Sequence, residues 1–173
     1  MRISIVVLLS AAACVRSGPQ HNMAMSPAEP SAYPSEVQEG YQRVRAATAA
    51  YRVLDSAVAK GYAASVPQCF SDPTHGAMGY HHLNRAYVDR NVEIEKPEIL
   101  LYERKADGSY GLNGVEYIIP YRVWPKDSVP PKLMGRDMVQ SEPLQLWYTH
   151  MWIWTPNKAG LFADWNPEVR CRN

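Results

Sequence analysis

Apolar and small residues recur at intervals of three and four early in the chain: Val37, Tyr41, Val44, Thr48, Tyr51, Leu54 and Val58. That spacing aligns one apolar stripe along a helix and leaves the arginines on other faces. Ser35, followed three residues later by Gln38, has the spacing of a capping box. Gly61 falls where a left-handed C-terminal cap would sit. The pattern predicts one helix of about 25 residues between Ser35 and Gly61.

From Tyr80 onward the period shortens to two, the signature of strands. Glu98–Arg104 (EILLYER) and Leu112–Ile119 (LNGVEYII) flank Asp107-Gly108 and predict a hairpin. Val92–Glu95 alternates as well and predicts a strand with Glu93 and Glu95 in solvent. Leu146–Trp154 (LWYTHMWIW) predicts an aromatic strand covered on both sides. Its His150 shares a face with Tyr148, Trp152 and Trp154, opposite Trp147, Thr149, Met151 and Ile153. Prolines at 120, 125, 130, 131 and 143 make residues 120–143 a long irregular excursion. The fold class expected is α+β: a long N-terminal helix packed on an antiparallel sheet that could close toward a barrel.

The first residues change the picture from fold to address. Arg2, the apolar run Ile3 to Leu9 and the small residues Ala11-Ala12-Ala13 lead into Cys14. This is the layout of a secretory signal, too short for a membrane-spanning helix. Cysteine directly after small residues is the arrangement of a bacterial lipoprotein signal, with Cys14 as the lipidated residue. Ala11-x-Ala13 equally fits ordinary cleavage at the same bond, leaving a free thiol; both readings export the chain. Residues 1–13 are then the signal, 14–34 a tether with four prolines, and 35–173 a single globular domain.

Removing residues 1–13 takes away only Arg2, leaving 17 basic and 17 acidic side chains. No basic block remains to follow a phosphate backbone, so nucleic acid is not an expected partner. Without a polybasic patch, membrane attachment would rest on several acyl chains at Cys14. Cys69 and Cys171 are then left to pair in an exported compartment, or to stay as buried thiols. Neither belongs to a CxxC pair, which argues against a redox motif or a zinc ribbon.

Common catalytic motifs are absent: the sequence holds no GxSxG, HExxH, P-loop or GxGxxG after a strand. Attention therefore falls on two histidine sites. His81 and His82 alternate along a strand, so only one of them serves a given interior site easily. His150, among tryptophans, is poorly hydrated and needs a carboxylate, a carbonyl or a metal ion. Glu116 shares its face with Gly114 and Ile118, unusual neighbours for a solvated carboxylate; Asp164 lies between Phe162 and Trp165. Two imidazoles and a carboxylate suit a divalent metal such as zinc or copper, and equally a buried Glu–His hydrogen bond that fixes the core.

The phrases GAMGYHHLN, PEILLYE, GVEYIIP and THMWIWTPNKAGLFADWNP resemble a group of small exported bacterial proteins that has no assigned activity. The resemblance spans roughly residues 40–171 and places His81, Glu116, His150 and Asp164 inside its recurring phrases. It implies where to look and supplies no reaction. The leading expectation is a lipid-anchored envelope protein that binds a small ligand or divalent metal. His81, Glu116, His150 and Asp164 would hold the metal, and Tyr148, Trp152 and Trp154 would line the ligand pocket. The alternatives are a metal-dependent enzyme, with Glu116 or Asp164 as general base, and a structural or interaction module of the envelope whose polar residues satisfy one another.

Overall fold

A computed structural model of the chain describes residues 29–65 and 68–172. Cys14 and the signal segment lie outside the described residues. The chain joins the domain before Ser35: Pro30–Ala32 form a 3-10 turn, and Tyr33 packs edge-on against Phe162 with centroids 5.6 Å apart. The Tyr33 hydroxyl also accepts a hydrogen bond from the Leu161 amide at 3.1 Å.

The expected 25-residue helix is broken. Helix α1 spans Ser35–Thr48, tightens into a 3-10 turn over Ala49–Arg52, and stops at Val53, whose backbone is extended. A separate short helix, α2, covers Leu54–Ala59. Thr48 marks where the stripe gives way. Its hydroxyl donates to the Val44 carbonyl at 2.7 Å and accepts from Trp154 Nε1 at 3.2 Å. A tertiary contact thus outweighs helical periodicity at this point. The capping box also fails: Pro34 occupies the N-cap, and Gln38 Nε2 instead donates to the Tyr33 carbonyl at 2.7 Å. Gly61 does adopt the left-handed conformation (φ +104°), closing α2 as its position suggested.

Strands β1 (Ala63–Ala64), β2 (Phe70–Asp72), β3 (Gly76–Leu83), β4 (Ile99–Arg104) and β5 (Tyr110–Pro120) follow. After them come the two-stranded ribbon β6 (Lys132–Leu133) and β7 (Arg136–Asp137), then β8 (Val139–Ser141) and β9 (Leu146–Met151). The main sheet is antiparallel, in the order β1-β3-β4-β5-β9-β8, with β2 on the other half of β3. It has two ends and is not closed into a barrel. The hairpin around Asp107-Gly108 is β4–β5. Val92–Glu95 is not a strand: the segment turns at Ile94, and the Lys96 amide donates to the Glu93 carbonyl at 2.9 Å. Val92 and Ile94 still pack on the core, so the alternation recorded burial rather than pairing.

The sheet has two dissimilar faces. On one, Leu100, Tyr102, Val115, Tyr117, Trp147 and Met151 pack against Val37 and Val44 of α1. On the other, Ile99, Leu101, Ile118 and Trp152 cluster with Ala77 of β3 and Val169 of the C-terminal segment. Cys69 and Cys171 form a disulfide, Cα atoms 5.6 Å apart, that clamps this segment beside β2. The helices leave part of the second face to be covered by β2 and the C-terminal residues, and the polar cluster sits there.

Candidate metal centre

Strand register brings distant residues together. Glu116 on β5 pairs directly with His150 on β9, and His81 on β3 lies across β4 from them. All three side chains face the second side of the sheet and are only 8%, 5% and 2% exposed for His81, Glu116 and His150. Each offers one ligand atom, and these atoms lie within 4.8 Å of one another. His82 points the other way, edge-on to Tyr102 with centroids 4.9 Å apart. Alternation along β3 therefore sends one histidine to the cluster and one to the opposite face.

Each imidazole is oriented from behind. His81 Nδ1 lies 3.3 Å from the Gly79 carbonyl, and His150 Nδ1 lies 3.3 Å from Asp164 Oδ1. A carbonyl or carboxylate at Nδ1 keeps the proton there and leaves the Nε2 lone pair pointing into the cluster. Gly79 is required for this placement: its φ is +96°, and a Cβ would stand 2.3 Å from the Tyr102 carbonyl oxygen. Asp164 is itself held by the Tyr148 hydroxyl, which donates to Oδ2 at 3.1 Å. Asp164 therefore stands behind His150 and does not join the three converging groups.

Glu116 turns one oxygen toward each imidazole, at 3.5 Å from His81 Nε2 and 3.6 Å from His150 Nε2. These separations exceed good hydrogen bonds. Each, taken to a different carboxylate oxygen, is close to the ligand–ligand spacing of about 3.4 Å around an ion with bonds near 2.1 Å. His150 Nε2 is fully buried and makes no hydrogen bond at all. A buried imidazole nitrogen without a partner is costly, and its carboxylate neighbour is too far to satisfy it.

Burial dominates the electrostatics of the cluster. Burial, aided by neighbouring His150, pulls the His81 pKa down to about 4, so its lone pair is free at neutral pH. Burial raises the Glu116 pKa, partly offset by His150. Burial also opposes charging of His150, but Glu116 and Asp164 overcome it and raise its pKa. The hydrogen bond from His150 keeps the Asp164 pKa low. Glu98, another buried carboxylate pushed up to about 8 by burial, is different: it accepts the Ile118 amide at 3.1 Å and faces no imidazole.

The three groups form the polar floor of a cavity of about 450 Å³. Phe70, Met78, Ile99, Ile118, Leu146 and Trp165 provide its apolar wall, and Tyr148, Leu144, Ser65 and Ser141 complete the lining. Of the aromatic residues expected there, Trp152 and Trp154 are elsewhere. β9 ends at Met151, so the alternation that linked them to His150 does not continue. Trp152 is buried in the second core cluster, donating to the Ala163 carbonyl at 2.6 Å. Trp154 lies on the helix side beneath Arg45, 4.1 Å from its ring centroid. Trp165, which the sequence offers with Trp147, Trp152 and Trp154 as a pocket-lining tryptophan, does line the cavity, whereas Phe70 and Met78 come from separate segments that no local periodicity links to it. No protein family, characterised protein or solved structure was found to match this chain.

Proposed function

We propose that this protein binds a divalent transition metal through His81 Nε2, Glu116 and His150 Nε2, with one coordination position open to the cavity. The unpartnered, fully buried Nε2 of His150, 3.6 Å from a buried carboxylate, carries this reading. A purely structural Glu–His pair would close that distance, because an unmet buried donor or acceptor costs about 1–3 kcal/mol. Two imidazoles and one carboxylate suit zinc, with copper(II) the nearest competitor. The carbonyl behind His81 and the carboxylate behind His150 are the supports that metal-bound imidazoles use. Protein purified without a histidine tag is expected to carry about one metal ion per chain by elemental analysis, in line with a single site. His150→Ala is expected to fall to background. Wild-type protein without metal after zinc exposure contradicts the assignment.

The same proposal places the domain in the bacterial envelope, exported and lipid-anchored through Cys14. The Cys69–Cys171 disulfide supports an oxidising compartment. Among the described residues no helix is long and apolar enough to cross a membrane. The proposed attachment is lipid at Cys14, and Cys14→Ser is expected to move the protein from the membrane fraction to the soluble fraction. Retention of that variant on membranes contradicts the anchor.

A further inference from the structure

Resting on the metal reading, we propose that the open position is completed by an apolar small molecule carrying a single anionic oxygen donor, such as an aromatic monocarboxylate or phenolate. Charge balance points to this class. A divalent ion with two neutral imidazoles and the Glu116 carboxylate retains one positive charge in a buried setting, and one anionic donor neutralises it. Asp164 adds little to that balance, since its side chain is 43% exposed and screened by water.

The wall restricts the remainder of the ligand. No Lys or Arg is among the residues lining the cavity, so nothing there would pair a second anionic group. Phosphates, dicarboxylates and sugar acids would leave charge or hydroxyls against Phe70, Ile99, Ile118 and Leu146 unpaired. A volume of about 450 Å³ accommodates a ring or short chain in the usual size range of small-molecule sites. The Tyr148 hydroxyl is already committed to Asp164 and the Ser65 hydroxyl to the His81 carbonyl, so beside the metal only the Ser141 side chain adds a hydroxyl to the lining.

The test uses the full chain loaded with cobalt(II), whose visible bands report its coordination shell. Benzoate is expected to perturb those bands with an affinity about 50-fold above acetate, the factor from burying one phenyl ring. Phthalate, similar in size with a second carboxylate, is expected to bind more weakly than benzoate. Leu144→Lys, at the exposed rim, is expected to bring phthalate within a few-fold of benzoate by supplying the missing cation. Cobalt bound but blind to benzoate, equal affinity for acetate and benzoate, or phthalate unchanged by Leu144→Lys overturns the ligand class alone. Failure to take up cobalt overturns the metal reading beneath it.

Discussion

Zinc added to chelator-treated protein is expected to raise the melting temperature by about 10 °C, and Glu116→Gln is expected to abolish most of that rise. A ligand present at a thousand times its dissociation constant stabilises the native state by about 4 kcal/mol. For a domain of this size each kcal/mol moves the midpoint by roughly 2–4 °C. The Glu116→Gln substitution keeps the shape of the side chain, and the new amide can donate to one imidazole Nε2, so the metal-free variant should melt within a few degrees of wild type. It loses the anionic oxygen that the ion needs. Because the Glu116 and His150 pKa values are both raised, a metal competes with protons at these groups, and uptake weakens as pH falls. Differential scanning calorimetry with and without zinc checks both parts. Equal melting of wild type with and without zinc, together with a large loss of stability in Glu116→Gln, would instead favour a purely structural pair.

Removing the disulfide is expected to have the second large effect. Cys69 and Cys171 are 102 positions apart, and opening a loop of that length costs on the order of 4–5 kcal/mol in the chain-entropy description. The double variant Cys69→Ser/Cys171→Ser should therefore melt roughly 10–15 °C lower. The loss should also reach the metal centre. Phe70, next to Cys69, packs edge-on against the His81 ring with centroids 5.0 Å apart, so loosening β2 frees that imidazole. Zinc affinity in the double variant should fall several-fold, read by competition with a chromogenic chelator. An unchanged melting temperature and unchanged affinity would mean that the C-terminal segment holds its place without the bridge.

The parts of the fold that the sequence made legible are those set by short-range geometry. Asp107-Gly108 between two alternating runs could hardly be other than a hairpin, and alternation correctly set His81 against His82 and Trp147 against His150. What went unread depends on contacts between distant segments. Thr48 sits in a regular helical stripe that runs on to Val58, yet Trp154 ties Thr48 to the chain after β9 and the helix ends there. Val92–Glu95 alternates because two of its side chains reach the core from a turn, a burial pattern that pairing would produce equally. The candidate centre was half legible: residue types nominated His81, Glu116, His150 and Asp164, and register alone decided that the first three converge. Asp164 approaches His150 from the Nδ1 side because the chain after β9 folds back over the sheet, a path that no period encodes.

Anomalous diffraction from crystals of the zinc-treated protein, recorded on both sides of the zinc absorption edge, tests the central claim most directly. The expected result is one strong peak per chain, about 2.0–2.2 Å from His81 Nε2, His150 Nε2 and an oxygen of Glu116, on the floor of the cavity. Peaks confined to exposed carboxylates, with Glu116 instead drawn into a short hydrogen bond with His150, would contradict it.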